Sequence, residues 1–435
     1  MKKTVLALSV CMSLFSILYA ADGELNKAID TQAGQLEKKI IEWRRHLHAN
    51  PELSNREFKT AEMIAAHLKQ LGLEVKTGVA HTGVVGLLRG GKPGPVVALR
   101  ADMDALPVTE RTPVPFASKV RAEYNGQEVG VMHACGHDTH VAILMGVAEL
   151  MSGLRAELPG SIKFIFQPAE EGAPAGERGG ARLMVEEGVL ENPKVDAIFG
   201  LHIMSKLPAG HIAYRPGGFL AASDVFTITV KGKQTHGSTP WQGVDPIVTA
   251  AQIITGLQTI ISRQTELTQD AAVITVGKIQ GGVRSNIIPE EVELVGTIRT
   301  LQTAMQDKIH EKIRLTATKI AESAGAEAEV VIRKGYPVTH NDPDLTGRML
   351  PTLQAVAGAD NVHLIPAITG AEDFSFYQKK VPGVFFFLGG MPPDMSPEQA
   401  APHHTPDFYI DESGLVLGVR ALARMAVDYM TATGR

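Results

Sequence analysis

The stretch ACGHDTH sets Cys135 and His137 two positions apart, with a glycine between them. In an extended or turning segment that spacing lets both side chains point the same way. A thiolate and an imidazole together suit zinc or another late first-row ion. QPAEE closes an apolar run with Glu170 and Glu171 side by side. Adjacent carboxylates repel unless a cation or a proton lies between them. One can then ligate metal while its neighbour takes a proton from water. GLHI offers His202, PHHTPDF offers His403 and His404, and RADMDALP offers Asp102 and Asp104. Farther along, QTHGSTP places His236 in a glycine-flanked turn, where an imidazole could stabilise an oxyanion. SNIIPEEVELVGTIRT adds Asn286 and Arg299, and the guanidinium could clamp a carboxylate in bidentate fashion.

Taken singly, each of these has an ordinary structural reading. A lone cysteine is usually a small buried hydrophobe. A carboxylate pair is often a solvated turn, a loop histidine is often surface, and Asp138 could cap a helix or orient His137. Packing does not explain the combination, which falls mostly at the ends of predicted strands, where open α/β sheets place their sites.

The elements that must position these residues follow from periodicity. LEKKIIEWRRHLHANPEL has helical spacing and ends at Asn50–Pro51. SNRE (Ser54 to Glu57) reads as a capping box opening a second helix that stops at Gly72. The strands GVVGLLRG, PVVALRADMD, SIKFIFQP and VDAIFGLHI alternate with the helices THVAILMGVAELMSGL and GGARLMVEEGVL. That alternation predicts a doubly wound, mainly parallel α/β sheet. Past Gly218 the pattern becomes β-α-β-β-α-β, the ferredoxin-like split, over residues 219–333. The expected organisation is a signal at 1–20, a catalytic domain at 21–218 and 334–435, and an inserted α+β domain between the two parts.

The N-terminus reads as an export signal: a charged MKK, the short apolar run TVLALSVCMSLFSIL, and LYA before ADGEL, with cleavage after Ala20. The expected location is periplasmic or secreted, with no membrane attachment once the signal is removed. Cleavage removes Cys11 and leaves Cys135 alone, so no intramolecular disulfide can form. A single thiol in an oxidising compartment is either buried and inert or held by a metal, and its neighbours favour the metal. A net charge of −5 gives no reason to expect nucleic acid as a partner.

RADMDALP, MHACGHDTH, QPAEEG, GLH, THGSTP…GVDPI, SNIIP, TGAEDFSFY and HHTPDF occur here in one order. The set resembles the M20 metallopeptidase family, in particular its amidohydrolase branch of aminoacylases, hippurate hydrolases and plant indole-acetyl-amino-acid hydrolases. The resemblance spans about residues 36–430. It implies two divalent ions (Mn, Zn, Co or Ni), with Cys135, His137, Glu171, His202 and His404 as ligands. His404 matches rather than His403 because it directly precedes the TP dipeptide. Glu170 matches the general base, and Asp104 the acid two positions beyond a histidine ligand of related peptidases; here Asp102 stands at that ligand position, so the metal set must differ. The inserted domain would act as lid and homodimer interface. It would send His236 to the partner subunit's site, with Asn286, Arg299 and Gly370 binding substrate.

The implied reaction is hydrolysis of an N-acyl amino acid, a small-molecule substrate, with an exported dipeptidase or carboxypeptidase as the alternative. A peptidase-like binding protein would have lost ligands or the base, and none is missing here. A thiol enzyme using Cys135 would have no use for the carboxylate pair. Three departures border the substrate space: the long loop EEGAPAGERGGAR, Trp241 where many relatives carry histidine, and HIMSKLPAG without an aromatic after the histidine.

Overall fold

The structure, a computed structural model, describes residues 24–433. The expected signal at 1–20 lies outside them. The chain forms two compact units. One runs up to Pro216 and takes in Asn341–Ile365 and everything from Phe376; the other comprises Gly217–His340 and Pro366–Ser375. The second unit therefore starts and ends beyond the expected 219–333. It also takes Pro366–Ser375, including Gly370, from the segment assigned to the catalytic domain.

After a helical stretch over 24–35, the first unit has helices α1 (Glu37–Ala49) and α2 (Phe58–Gln70), then strands β1 (Glu74–Val79), β2 (Gly83–Arg89) and β3 (Lys92–Asp102). A hairpin of β4 (Arg121–Tyr124) and β5 (Gln127–Gly130), not foreseen from the sequence, precedes α3 (His137–Gly153). Then come β6 (Pro159–Gln167), α4 (Gly180–Glu186), β7 (Ala197–Pro208) and β8 (Ile212–Tyr214). In the second unit, β9 (Ala222–Lys231), α5 (Pro246–Gln264), β10 (Ala272–Gly281), β11 (Glu291–Thr300), α6 (Thr303–Ser323) and β12 (Glu327–Tyr336) follow in order. The chain returns to the first unit with α7 (Pro343–Ala357), β13 (Val362–Leu364), β14 (Gly383–Met391) and α8 (Leu415–Thr433).

The large sheet has eight strands in the order β1-β2-β6-β3-β7-β14-β8-β13. Its centre is parallel: β3 pairs with β6 and β7, and β7 with β14, all in the same direction. Strand β2 runs antiparallel to both of its neighbours. β14 (GVFFFLGGM), parallel to β7 and antiparallel to β8, is buried along its whole length, as expected of a strand covered on both faces. Helix α3 is apolar on nearly every side and buried almost throughout, as a core helix should be.

The second unit keeps the ferredoxin-like order, β10-β11-β9-β12, all antiparallel. β9 alternates buried and less buried residues. Its inward Phe226, Ile228 and Val230 pack with Ile253, Leu257 and Ile260 of α5 and Ile309 and Ile313 of α6. Asp245 caps α5 by accepting from the Ile247 and Val248 amides, with Pro246 in the first turn. Among the described residues, no helix is long and apolar enough to cross a membrane.

Candidate metal centre

Three parallel strands bring the acids and histidines to one level. Asp102 pairs across from Gln167, and Arg100 from Gly200, so the segments after β3 and β6 emerge beside His202. β7 itself continues past His202 to Pro208, so this histidine lies within the strand, not at the end the sequence predicted. Cys135 and His137 arrive on the turn into α3. Gly136 between them has φ +93°, and a Cβ there would lie 2.3 Å from the Ile203 side chain. Only glycine tolerates both conditions, which explains the CGH spacing.

Cys135 Sγ lies 3.3 Å from His202 Nε2 and 3.3 Å from His404 Nε2. His404 Nε2 is 3.1 Å from Glu171 Oε1. His137 Nε2 faces Asp102, Glu170 and Glu171 oxygens at 3.8, 4.0 and 3.9 Å. The donor atoms of Cys135, Glu171 and His404 lie within 4.8 Å of one another, as do those of His137, Glu170 and Glu171. The expected ligands Cys135, His137, Glu171, His202 and His404 therefore converge, with Glu170 among them.

The buried His137 Nε2 has no hydrogen-bond partner. Buried polar atoms are seldom left so. Carboxylates at about 4 Å are too far for a hydrogen bond to His137, yet suitably spaced for groups sharing a cation at ~2.0–2.2 Å bond lengths. The donor set fits divalent metal, and its overlap at Glu171 suits two ions that share a ligand.

Tautomers sort the histidines. His202 Nδ1 donates to the Ile203 carbonyl, leaving the Nε2 lone pair toward the cysteine sulfur. His403 Nε2 accepts the Ser205 amide, so its proton is on Nδ1, 3.7 Å from the same sulfur. His403 is thus placed as a donor to sulfur, and His404 as a ligand. His404 sits at φ +63°, an uncommon conformation for a non-glycine residue, and its amide is held by the Ala134 carbonyl at 2.8 Å.

Asp102 and Asp104 do different work. Asp102 is gripped by Arg100 at 2.6 Å and His140 at 2.5 Å. Burial opposes its ionisation, but Arg100, His137 and His140 overcome that and hold its carboxyl well below the usual range. Asp104 Oδ1 lies 3.3 Å from His137 Nδ1 and so orients the ring from behind, as carboxylates behind metal histidines do. Burial likewise opposes a charge on His137, yet Asp102, Asp104 and Glu171 win and push it up to about 10, which marks the pocket as one that favours positive charge. Burial, with Glu171 and Glu170 beside it, drives the Cys135 thiol well above its ordinary value, an effect a cation reverses.

Two local expectations are corrected. Asp138 does not cap α3; Gly136 holds the cap position, and Asp138 forms an ion pair with Arg44 at 2.8 Å and hydrogen-bonds His48 at 2.9 Å. Ser54 and Glu57 form no capping box, since the cap of α2 makes no side-chain bond and Ser54 donates to Asp104 instead. Arg100 and His140 were missed. His140 stands one helical turn from His137, the spacing that could have revealed it.

His236, Asn286, Arg299 and Gly370 all belong to the second unit. His236 and Asn286 are brought together: the Gly237 amide bonds the Asn286 carbonyl at 2.8 Å, and His236 pairs with Ile287. His236 Nδ1 accepts the Ser238 amide at 3.1 Å, so its proton is on Nε2, free to donate. Arg299 lies on β11 opposite Ser223 and Val273, half-buried, and touches the Ser223 hydroxyl. Gly370 offers its carbonyl to Ala221.

A sequence profile of peptidase family M20/M25/M40 matches residues 98–428. This chain belongs to that family. M20 relatives are similar over almost their whole length. Thermostable carboxypeptidase 2 of Saccharolobus solfataricus is 41% identical over 408 residues, covering 93% of this chain and 99% of that protein. N-acetylcysteine deacetylase of Bacillus subtilis is 39% identical over 393 residues, covering 89% and 96%. Among solved structures, the Bacillus subtilis YxeP protein, described as a dinuclear metal-binding peptidase from the M20 family, superposes with a TM-score of 0.77. It is 37% identical, with 92% of this chain and 99% of that one covered.

Proposed function

We propose that this M20 protein is a metal-dependent amidohydrolase that splits N-acyl amino acids into a carboxylic acid and an amino acid. The observation that carries the reading is the convergence of Cys135, His137, Glu171, His202 and His404 with Glu170 beside them. Two divalent ions (Mn, Zn, Co or Ni) held by those five residues would polarise the scissile carbonyl and acidify water. Glu170, nine-tenths buried, takes the proton from the attacking water and returns it to the leaving amine. His236 Nε2–H is a donor suited to the developing oxyanion. Asn286, Arg299 and Gly370 bind the substrate's amino-acid end, the guanidinium holding its carboxylate.

A cavity of about 170 Å³ adjoins Glu171, lined by Leu53, Leu106, Pro107, Tyr124 and Pro174 among others. Its Arg56 is already paired with Glu177 and its Ser54 with Asp104, which favours an uncharged acyl group over a carboxylate. We further propose export by the N-terminal segment and a homodimer through the inserted domain. The open face of its sheet exposes Val225, Val273 and Val331, aliphatic side chains that a partner would cover.

The test is amine release from N-acetyl and N-benzoyl amino acids and from free and blocked dipeptides, with metal-stripped and metal-restored protein. Metal-dependent cleavage of N-acyl amino acids is expected, with Glu170→Gln reduced by ~10²–10⁴-fold at unchanged metal content. Cleavage of peptides alone would move the assignment to the carboxypeptidase reading, which the Saccharolobus relative favours.

A further inference from the structure

We propose that Glu57 is a positioning residue for the reaction, acting by holding the turn that aims Glu170 and Glu171. This rests on Glu170 being the base. Three consecutive amides of that turn are received by two buried carboxyl groups. The Ala169 N–H goes to Glu57 Oε1, the Glu170 N–H to Asp104 Oδ1 and the Glu171 N–H to Asp104 Oδ2, each at 3.0 Å. Glu57 is fully buried and touches none of the groups in the metal cluster directly.

Ala169 explains why the hold is needed. It has φ +52°, in the left-handed region, immediately before the carboxylate pair. An alanine leaves that region readily unless its surroundings fix it. The same Glu57 oxygen also receives the Asn55 amide at 3.0 Å, and Asn55 has φ +60°. One carboxyl oxygen therefore secures two strained residues at once. Thr82 donates its hydroxyl to the other oxygen. The Asn55 side chain continues the hold, donating to Glu177 and to the Arg178 carbonyl at 3.0 Å each, at the far end of the loop that follows Glu171. The segment Ser54–Glu57 thus clasps the carboxylate turn on both sides. If Ala169 relaxed, the carboxylates after it would swing away from His137 and His404.

The test replaces Glu57 by Gln and by Met in the full chain. Gln keeps an oxygen for the two amides and turns its NH₂ to the Thr82 hydroxyl; Met fills the volume and accepts nothing. Glu57→Met should lower kcat by ~10–100-fold, the usual cost of losing such support, with KM little changed. Its metal affinity, read by calorimetric titration of the stripped protein, should fall too. Glu57→Gln should restore most of both. Glu57→Met with wild-type kcat and metal affinity would overturn the proposal, as would Glu57→Gln as impaired as Glu57→Met, since charge rather than acceptor geometry would then matter. If Glu57→Met does not fold, Ala169→Gly in the Glu57→Gln background serves. Glycine is at ease at positive φ, so kcat should hold or rise, and a fall would count against the strain argument. Glu170→Gln measured alongside separates the two readings: its inactivity with a fully active Glu57→Met removes only the role of Glu57.

Discussion

Glu170 and Glu171 sit on a turn whose amides are received by residues far away in the chain, and several groups of the cluster also find distant partners. Cys135 meets His404, His137 leans on Asp104, and Asp102 is locked between Arg100 and His140. The charge state of the supporting residues has a measurable consequence. Burial first, and the Asp104 carboxylate next, raise Glu57 to about 8, against the hydrogen bonds from Thr82 and Ala169. The folded protein therefore keeps a proton that the unfolded chain sheds near pH 4.3. The stability this contributes is fully present below that pH and is lost as pH rises through about 8. Gln at 57 cannot titrate. Urea unfolding of the metal-loaded proteins at pH 5 and pH 9 should show Glu57→Gln gaining on wild type at the higher pH, on the order of a few kcal/mol. Equal pH slopes for the two proteins would mean that Glu57 does not carry this proton.

At the level of elements, the sequence was legible where periodicity decides and opaque where distant partners do. The apolar strands, the core helix α3 and the β-α-β-β-α-β run of the second unit all follow from local patterning. The Ser54–Glu57 segment carries a helix-start signature, yet its partners Asp104 and Ala169 lie 50 and 112 positions on, and tertiary contacts override the local signal. His202 was read as a strand end because the apolar run stops there, but pairing with β14 carries the strand on to Pro208. The β4–β5 hairpin escaped notice because its strands are polar and four residues each. It nevertheless brings Tyr124 to the cavity beside Glu171. Tyr124→Ala should lower kcat/KM for N-benzoyl substrates by ~10-fold, the scale of one lost apolar contact. N-acetyl substrates, too small to reach it, should be nearly unaffected. Equal losses on both would remove the hairpin from the acyl subsite.

At the scale of the whole molecule, the metal cluster lies in one unit and His236, Asn286 and Arg299 in the other. If the partner's His236 completes each site, two inactive variants can repair one another. Glu170→Gln and His236→Ala should each be nearly inactive alone. When they are mixed under conditions that exchange subunits, hybrid dimers hold one site with both residues intact, and activity should return to a substantial fraction of wild type. A mixture no more active than its components, with exchange shown by mass spectrometry, would place His236 at its own subunit's site or outside the reaction.

The distance between Cys135 and His404 along the chain, 269 positions, also bears on when the ion can bind. Residues on the turn into α3 and on the loop before the last helix must meet before the sulfur and that imidazole share a cation. A chain still being made presents no such pair. Tight metal capture therefore reports completion of the first unit. Because the ions bind the folded form, they also raise the cost of reopening it.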